Sequence, residues 1–264
     1  MKALFSPAGR QALRDFVRDD LLCLFDFDGT LVPLEPHPDK VMVPEAVLDR
    51  LQRLQQRAPV GIVTGRGLHD MHRMLAFEPD YLIGNHGIEG LPGWERRVGA
   101  FEAICAGWQQ QLHEVLQSFG SEVWIEYKRY SLSVHFLHAP EREAVAQQLT
   151  RLFDRLMPLP RVISGKAVFN LLPPGADDKG GAVQALMEIT RASRALYAGD
   201  DVTDEHVFML DRHDLFSVRV GEGGDSAADY FIPDHQSIVP LLDLLIDSLP
   251  DSRRPERSLH TDSR

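Results

Sequence analysis

The sequence predicts an α/β fold: a parallel sheet covered by helices, interrupted by a smaller inserted α+β module. Two observations carry this reading. Short runs that are apolar at every position alternate with helical patterns, as expected of strands covered on both faces. Between residues 91 and 173 the rhythm changes to helix, two alternating strands, helix and two more strands, an αββαββ order that marks an inserted unit.

Taken in order, Leu21–Phe25 is the first buried strand, and it stops at Asp26. Residues 44–57 place Val47, Leu51 and Leu54 on one helical face, with Pro44 suited to the first turn. Val60–Val63 forms a second apolar run ending at Thr64, and Tyr81–Ile83 leads into Gly84-Asn85-His86-Gly87. In the module, helical patterns at 101–119 and 141–156 separate strand patterns at 123–127, 131–137, 161–163 and 167–172. Beyond it come a helix over 180–189, a strand over 195–198 running into Gly199-Asp200-Asp201, edge strands at Leu215–Val220 and Tyr230–Ile232, and a helix over 238–249. The expected organisation is a core from 1–90 and 174–250, an insert over 91–173, and a disordered polar tail over 251–264.

Composition limits the function. A chain of 264 residues holds about two domains. With 44% hydrophobic and 25% charged residues, it is neither disordered nor fibrous. Its 28 basic against 39 acidic residues give a net charge of -11, which excludes a nucleic-acid or anionic-membrane surface. An anionic substrate then needs a local basic pocket or a metal ion. Cys23 and Cys105 both fall in core patterns, so no disulfide framework is expected. Residues 1–20 are charged and amphipathic, and no apolar run nears the roughly 20 residues of a membrane span; a soluble, cytoplasmic protein is expected.

The chemistry concentrates where apolar runs stop. In parallel α/β sheets ligands bind beyond the carboxyl ends of the strands. Asp26, Thr64 and Asp200 each directly follow such a run. Asp26 and Asp28, two apart, share a face if strand geometry continues. Gly29 permits a tight turn, and Thr30 is placed to cap the next one. Asp-x-Asp-Gly also occurs in plain turns, but an exposed turn needs no buried strand before it. Asp200, Asp201, Asp204 and Glu205 form a second acidic cluster, for which a helix N-terminus is the plainer reading of Asp204 and Glu205. Two carboxylates about 4 Å apart repel by about 4 kcal/mol at an effective dielectric of 20. Gathering Asp26, Asp28, Asp200 and Asp201 therefore requires a cation, and an all-oxygen set points to magnesium rather than zinc. Thr64-Gly65-Arg66 is either a helix cap or a donor loop. Lys179, in a first helical turn, needs a charge partner.

In this order, Asp26-x-Asp28-Gly29-Thr30, Thr64, Lys179 and Gly199-Asp200-Asp201-x-x-Asp204 resemble the four motifs of the haloacid dehalogenase superfamily of phosphatases. The insert resembles that superfamily's C2-type cap. A closer resemblance, over nearly the whole chain, is to the trehalose-6-phosphate phosphatases. It is carried by Pro36-His37-Pro38-Asp39, Gly84-Asn85-His86-Gly87-Ile88-Glu89, Glu126-Tyr127-Lys128, His135-Phe136, Gly165-Lys166 and Gly199-Asp200-Asp201-x-Thr203-Asp204-Glu205.

The resemblance implies a Rossmann-like core with a cap, and magnesium-dependent hydrolysis of trehalose-6-phosphate to trehalose and phosphate through an aspartyl-phosphate. It implies Asp26 as nucleophile, Asp28 as general acid and base, and Thr64 and Lys179 as holders of the phosphoryl group. Asp26, the backbone carbonyl of Asp28, and Asp200 are implied on Mg2+, with Asp201 and Asp204 anchoring its waters or orienting Lys179. Gly65, Arg66, His86, Glu126, Lys128, Lys166 and Asn170 are implied to bind substrate. A trehalose-6-phosphate synthase is the implied protein partner. From the residues alone, Glu126 and Lys128 also fit a solvated strand face, and His86 and His135 fit partly buried core histidines. Leu137 and Asn170 stand where the family often has Arg and Glu, which leaves sucrose phosphate and mannosyl-phosphoglycerate as competing substrates. A phosphomutase and a non-catalytic sugar-phosphate binder are the more distant alternatives.

Overall fold

The structure is a computed structural model that describes residues 1–35 and 41–251. The Pro36-His37-Pro38-Asp39 motif and the tail beyond Asp251 lie outside the described residues. The first half of the core comprises β1 (Lys2–Ala3), α1 (Pro7–Phe16), β2 (Leu21–Phe25), α2 (Glu45–Gln55), β3 (Val60–Val63), α3 (Leu68–Met74) and β4 (Tyr81–Ile83). The insert follows as α4 (Glu95–Leu116), β5 (Trp124–Tyr127), β6 (Leu132–His135), α5 (Arg142–Phe153), β7 (Arg161–Gly165) and β8 (Val168–Leu172). The chain then returns through α6 (Lys179–Thr190), β9 (Arg194–Gly199), α7 (Glu205–Phe208), β10 (Leu215–Val220), β11 (Tyr230–Ile232) and α8 (Ile238–Ser248).

Seven strands form one parallel sheet in the order β1-β11-β10-β9-β2-β3-β4. Strand alternation explains why β2 is apolar throughout. Leu21, Cys23 and Phe25 face the core under α1, α2 and α8, while Leu22 and Leu24 face that under α6 and α7. From β2 the chain builds outward to β3 and β4, then returns after the insert to build the other way through β9, β10 and β11. The adjacent ends of β2 and β9 are thus a topological switch point, where ligands of such sheets bind. Register fixes the neighbourhood: Phe25 pairs with Ala198, so Asp26 leaves β2 beside Gly199, and Asp200 follows one residue further along the adjacent strand.

The insert has its own four-stranded antiparallel sheet, ordered β5-β6-β8-β7. Leu132, Val134, Phe169 and Leu171 on one face pack against Trp108, Leu112, Leu149 and Phe153 of α4 and α5. Its other face carries Glu126, Ser133 and Asn170.

Some expectations change. β10 and β11 are interior strands, because Lys2–Ala3 pairs with β11 and takes the edge; two residues offer no alternation to read. Pro44 is the residue before α2, with extended backbone (ψ 141°), rather than part of its first turn. Among the described residues Thr30 caps no turn; its hydroxyl is buried and points at Asp200. Cys23 and Cys105 are buried and unpaired, as expected. No helix among the described residues is long and apolar enough to cross a membrane.

Candidate active site

Asp26 is fixed just past β2 by its backbone N–H, which donates to the Ala198 carbonyl at 2.8 Å. The chain then turns sharply at Gly29, where φ is +81° and a Cβ atom would sit 2.2 Å from Asp200 Oδ2. Only glycine fits there, for its conformation and for the close approach to a carboxylate. The turn also ends the strand geometry that would have put Asp26 and Asp28 on one face, and the two carboxylates take different cations.

Asp26 belongs to a buried acidic group with Asp200 and Asp204, whose carboxylate oxygens lie within 4.8 Å of one another. Lys179, only 2% exposed, donates to Asp26 Oδ1 and to Asp204 Oδ1, each at 2.7 Å. These are the charge partners its helical position demanded. Asp204 also accepts from Tyr197 Oη at 2.6 Å and from the Asp201 N–H at 2.9 Å. It is therefore a fully buried organiser of Lys179, not a residue answering a helix dipole. Asp201 is the cap of the short turn that follows, its side chain accepting from the Asp204 N–H. Glu205 pairs with Arg219 at 2.9 Å, away from the cluster.

One ammonium facing three carboxylates leaves the group short of positive charge. Burial pushes the Asp200 carboxyl up to about 7, and the Asp204 charge adds to it. Burial also pushes Asp26 well above the usual carboxylate range; Lys179 opposes the shift, and Asp204 and Asp200 reinforce it. Burial disfavours the Lys179 ammonium, but Asp204 and Asp26 outweigh this and hold it charged. An all-oxygen group with this deficit fits a hard divalent cation.

Asp28 stands apart from that group, held by two bonds of 2.6 Å from Arg66 Nε and Nη2. Thr64 is buried, and its hydroxyl accepts from the N–H of the same Arg66 at 3.2 Å. That bond closes a local turn and caps no helix: α3 begins at Leu68 with Gly67 before it, and the Leu68 N–H donates to Glu89 Oε2 at 2.8 Å, so the capping reading of Thr64 is corrected. The Gly65 carbonyl accepts from Lys128 Nζ of the insert at 3.2 Å, so Lys128 is drawn to the core rather than left on a solvated face. Glu126 stands 3.6 Å from that ammonium and 2.9 Å from His135 Nε2. Burial acts to raise the Glu126 carboxyl, but His135 and Lys128 override it and bring it down to about 2.

Asn170 accepts from the Ser133 hydroxyl at 2.6 Å and turns its amide toward His86. His86 is buried with left-handed backbone (φ +61°), and among the described residues neither ring nitrogen makes a well-formed hydrogen bond. Burial, then the charges of Lys128 and Lys179, hold its imidazole neutral. Lys166 is exposed in the turn joining β7 and β8; neighbouring Gly165 comes so near Asp201 that a Cβ there would lie 3.8 Å from Oδ2. Leu137 is an exposed residue just past β6.

The sequence family described as Trehalose-phosphatase matches residues 24–229, a span holding every residue of this site. The trehalose-6-phosphate phosphatase of Escherichia coli (strain K12) is 30% identical over 244 residues, covering 89% of this chain and 90% of that protein. The chain belongs to the trehalose-phosphatase family. It is an enzyme of the phosphoric monoester hydrolase class. A bifunctional trehalose-6-phosphate synthase/phosphatase of Thermoproteus tenax is 29% identical over 85% of this chain and 32% of its own length. The trehalose-6-phosphate phosphatase C-terminal domain of C. albicans shares the fold with a TM-score of 0.77, at 21% identity, over 93% of this chain and 98% of that domain.

For a trehalose-phosphatase family member, three contributors escaped the sequence reading. Tyr197 reads as one more residue of a buried strand, yet its hydroxyl helps fix Asp204. Asn85 donates to the Lys128 carbonyl at 2.8 Å and accepts from the Ser131 hydroxyl, bridging core and insert. Arg161 of the insert donates to Asp178 Oδ2 and to the Asp177 carbonyl, each at 2.9 Å. A polar residue in a wholly apolar strand, such as Tyr197, was the one visible signal.

Proposed function

We propose that the chain hydrolyses trehalose-6-phosphate to trehalose and inorganic phosphate, with residues 91–173 closing as a cap over the sugar. The observation that carries this is the buried Asp26–Lys179–Asp204 chain beside Asp200, at a switch point onto which Lys128 descends from the insert. It joins a nucleophile, a phosphate-side cation and a sugar-side polar face in one crevice.

Asp26 attacks phosphorus, and the bond from phosphorus to the sugar oxygen breaks to leave an aspartyl-phosphate. Asp28 donates its proton to the departing sugar oxygen, then takes one from the water that hydrolyses the acyl phosphate. Arg66 occupies two of the roughly four acceptor sites of that carboxylate and fixes its direction while others stay open. Lys179 and the Thr64 hydroxyl hold the phosphoryl oxygens, the positioning role that dominates phosphoryl transfer. Asp26, Asp200 and the Asp28 carbonyl would hold Mg2+, whose charge offsets the repulsion between carboxylate and phosphate dianion. Glu126, Lys128, Lys166, Asn170 and the neutral His86 face the sugar, and a mismatched hydroxyl pattern leaves these polar groups unpaired. Tethering to a synthase is an extension that the Thermoproteus tenax relative, with both activities in its name, supports.

The test is phosphate release from trehalose-6-phosphate, sucrose-6-phosphate and mannosyl-phosphoglycerate, with magnesium and with chelator. Turnover of the trehalose ester with magnesium, and none in Asp26→Asn, is expected. Full activity of that variant overturns the nucleophile; free phosphate from the wild type rules out a mutase.

A further inference from the structure

The polar face of the insert's sheet does not end at Glu126. Trp124 lies two residues earlier on β5 and so points the same way, while Ile125 between them packs into the insert's core. Its cross-strand partner is His135, and the two rings stack with centroids 4.1 Å apart and planes 14° apart. His135 covers one side of the indole, yet the residue remains 47% exposed. An indole left this open forgoes the burial that large aromatic side chains usually gain.

A line of contacts connects it to the chemistry. The Gly65 carbonyl beside Thr64 accepts from Lys128 at 3.2 Å, Lys128 stands 3.6 Å from Glu126, and Glu126 bonds His135 at 2.9 Å. Trp124 lies one ring stack further on. A sugar ring attached directly to a phosphate held at Thr64 and Lys179 falls beside Lys128 and Glu126. Trp124 stands two residues beyond Glu126 and four beyond Lys128 along the strand, on the side toward which a second ring would extend.

We infer that Trp124 is a specificity residue: its indole is the platform on which the apolar C–H face of the sugar ring farther from the phosphate stacks. This rests on the disaccharide phosphate proposed above. His135 serves it twice, as the backing of the indole and as the partner that aims Glu126. Polar groups then read the near ring, and an aromatic face reads the far one.

The experiment compares trehalose-6-phosphate with glucose-6-phosphate, the latter as substrate or competitive inhibitor, in wild type, Trp124→Ala and Trp124→Phe. An aromatic contact of ordinary strength predicts a rise of about three- to tenfold in KM for trehalose-6-phosphate in Trp124→Ala, with kcat little changed. Glucose-6-phosphate affinity stays at the wild-type value, and Trp124→Phe recovers most of the loss. Trehalose, but not glucose, alters the tryptophan emission of the wild type, and Trp124→Phe loses that response. A rise in KM for both esters alike marks a structural role, and no rise for either removes the contact; each overturns the platform while the phosphatase reading stands. Wild type that turns over trehalose-6-phosphate not at all overturns both.

Discussion

Replacing Asp200 by Asn should stabilise the metal-free protein while abolishing its activity. The Asp200 carboxyl is raised from 3.8 to about 7, chiefly by burial and then by the Asp204 charge. Between those values the folded chain binds more protons than the unfolded one, so stability falls as pH rises through the window. The shift is about three units at about 1.36 kcal/mol each, so an ionised Asp200 costs the fold up to about 4 kcal/mol at pH 8. At pH 5 the folded carboxyl is still protonated and the cost is under about 2 kcal/mol. Asn keeps the shape and an oxygen for the Thr30 hydroxyl, 3.4 Å away, and carries no charge. In chelator, Asp200→Asn should therefore melt about 8–15 °C above wild type at pH 8 and about 3–7 °C above it at pH 5. Adding magnesium should raise the wild-type melting temperature and leave the variant's unchanged. Thermal unfolding followed by circular dichroism, at both pH values with and without magnesium, reads all of this. A variant melting at or below wild type in chelator at pH 8 would refute the claim that this carboxylate is held against its own repulsion for a cation.

Lys179→Met removes the ammonium between Asp26 and Asp204, and an uncompensated buried pair of this kind costs about 3–5 kcal/mol. Calorimetry should show a lowered melting temperature at pH 8 that recovers as the pH falls and Asp26, whose carboxyl burial holds above the usual range, takes up a proton; an unchanged melt would show that the two bonds carry no stability. Arg66→Ala frees the Asp28 carboxylate from its two 2.6 Å bonds and should lower kcat for trehalose-6-phosphate about tenfold to a hundredfold. A rise in KM with kcat intact would instead make Arg66 a substrate contact.

What the sequence made legible follows from how each residue earns its position. A strand buried on both faces must be apolar at every position, so β2 and β3 could be bounded to the residue, as could the half-buried edge strand β4 from its apolar run, and the side chains just beyond them named. The acidic residues were legible for the same reason: a carboxylate directly after five buried residues has no exposed turn to explain it. Their division of labour was not. Asp28 faces Arg66 and Asp204 faces Lys179 because of a turn at Gly29 and of a helix that arrives from beyond the insert, and neither shows in local spacing. The insert was legible in its rhythm but less so in its function, since Glu126 and Lys128 at alternate positions look the same on a wet strand and over a substrate. What separates them is the bond from Lys128 to the Gly65 carbonyl, a contact between residues more than sixty apart.

The same logic separates the core chemistry from the choice of sugar. Asp26, Lys179, Asp200 and Asp204 are each fixed by several mutually dependent contacts, so a single change there is felt as stability as well as rate. Trp124, Leu137 and Lys166 sit on the open side of the insert with few constraints, and altering them costs the fold little. On the proposed reading, phosphoryl transfer is built into the switch point and the near part of the sugar meets fixed groups such as Asn170 and Lys128, whereas the far part meets side chains that the fold leaves free to vary. On that division, substitutions that redirect the enzyme to another disaccharide phosphate belong on β5 and in the β7–β8 turn, and should leave the melting temperature of the core unmoved.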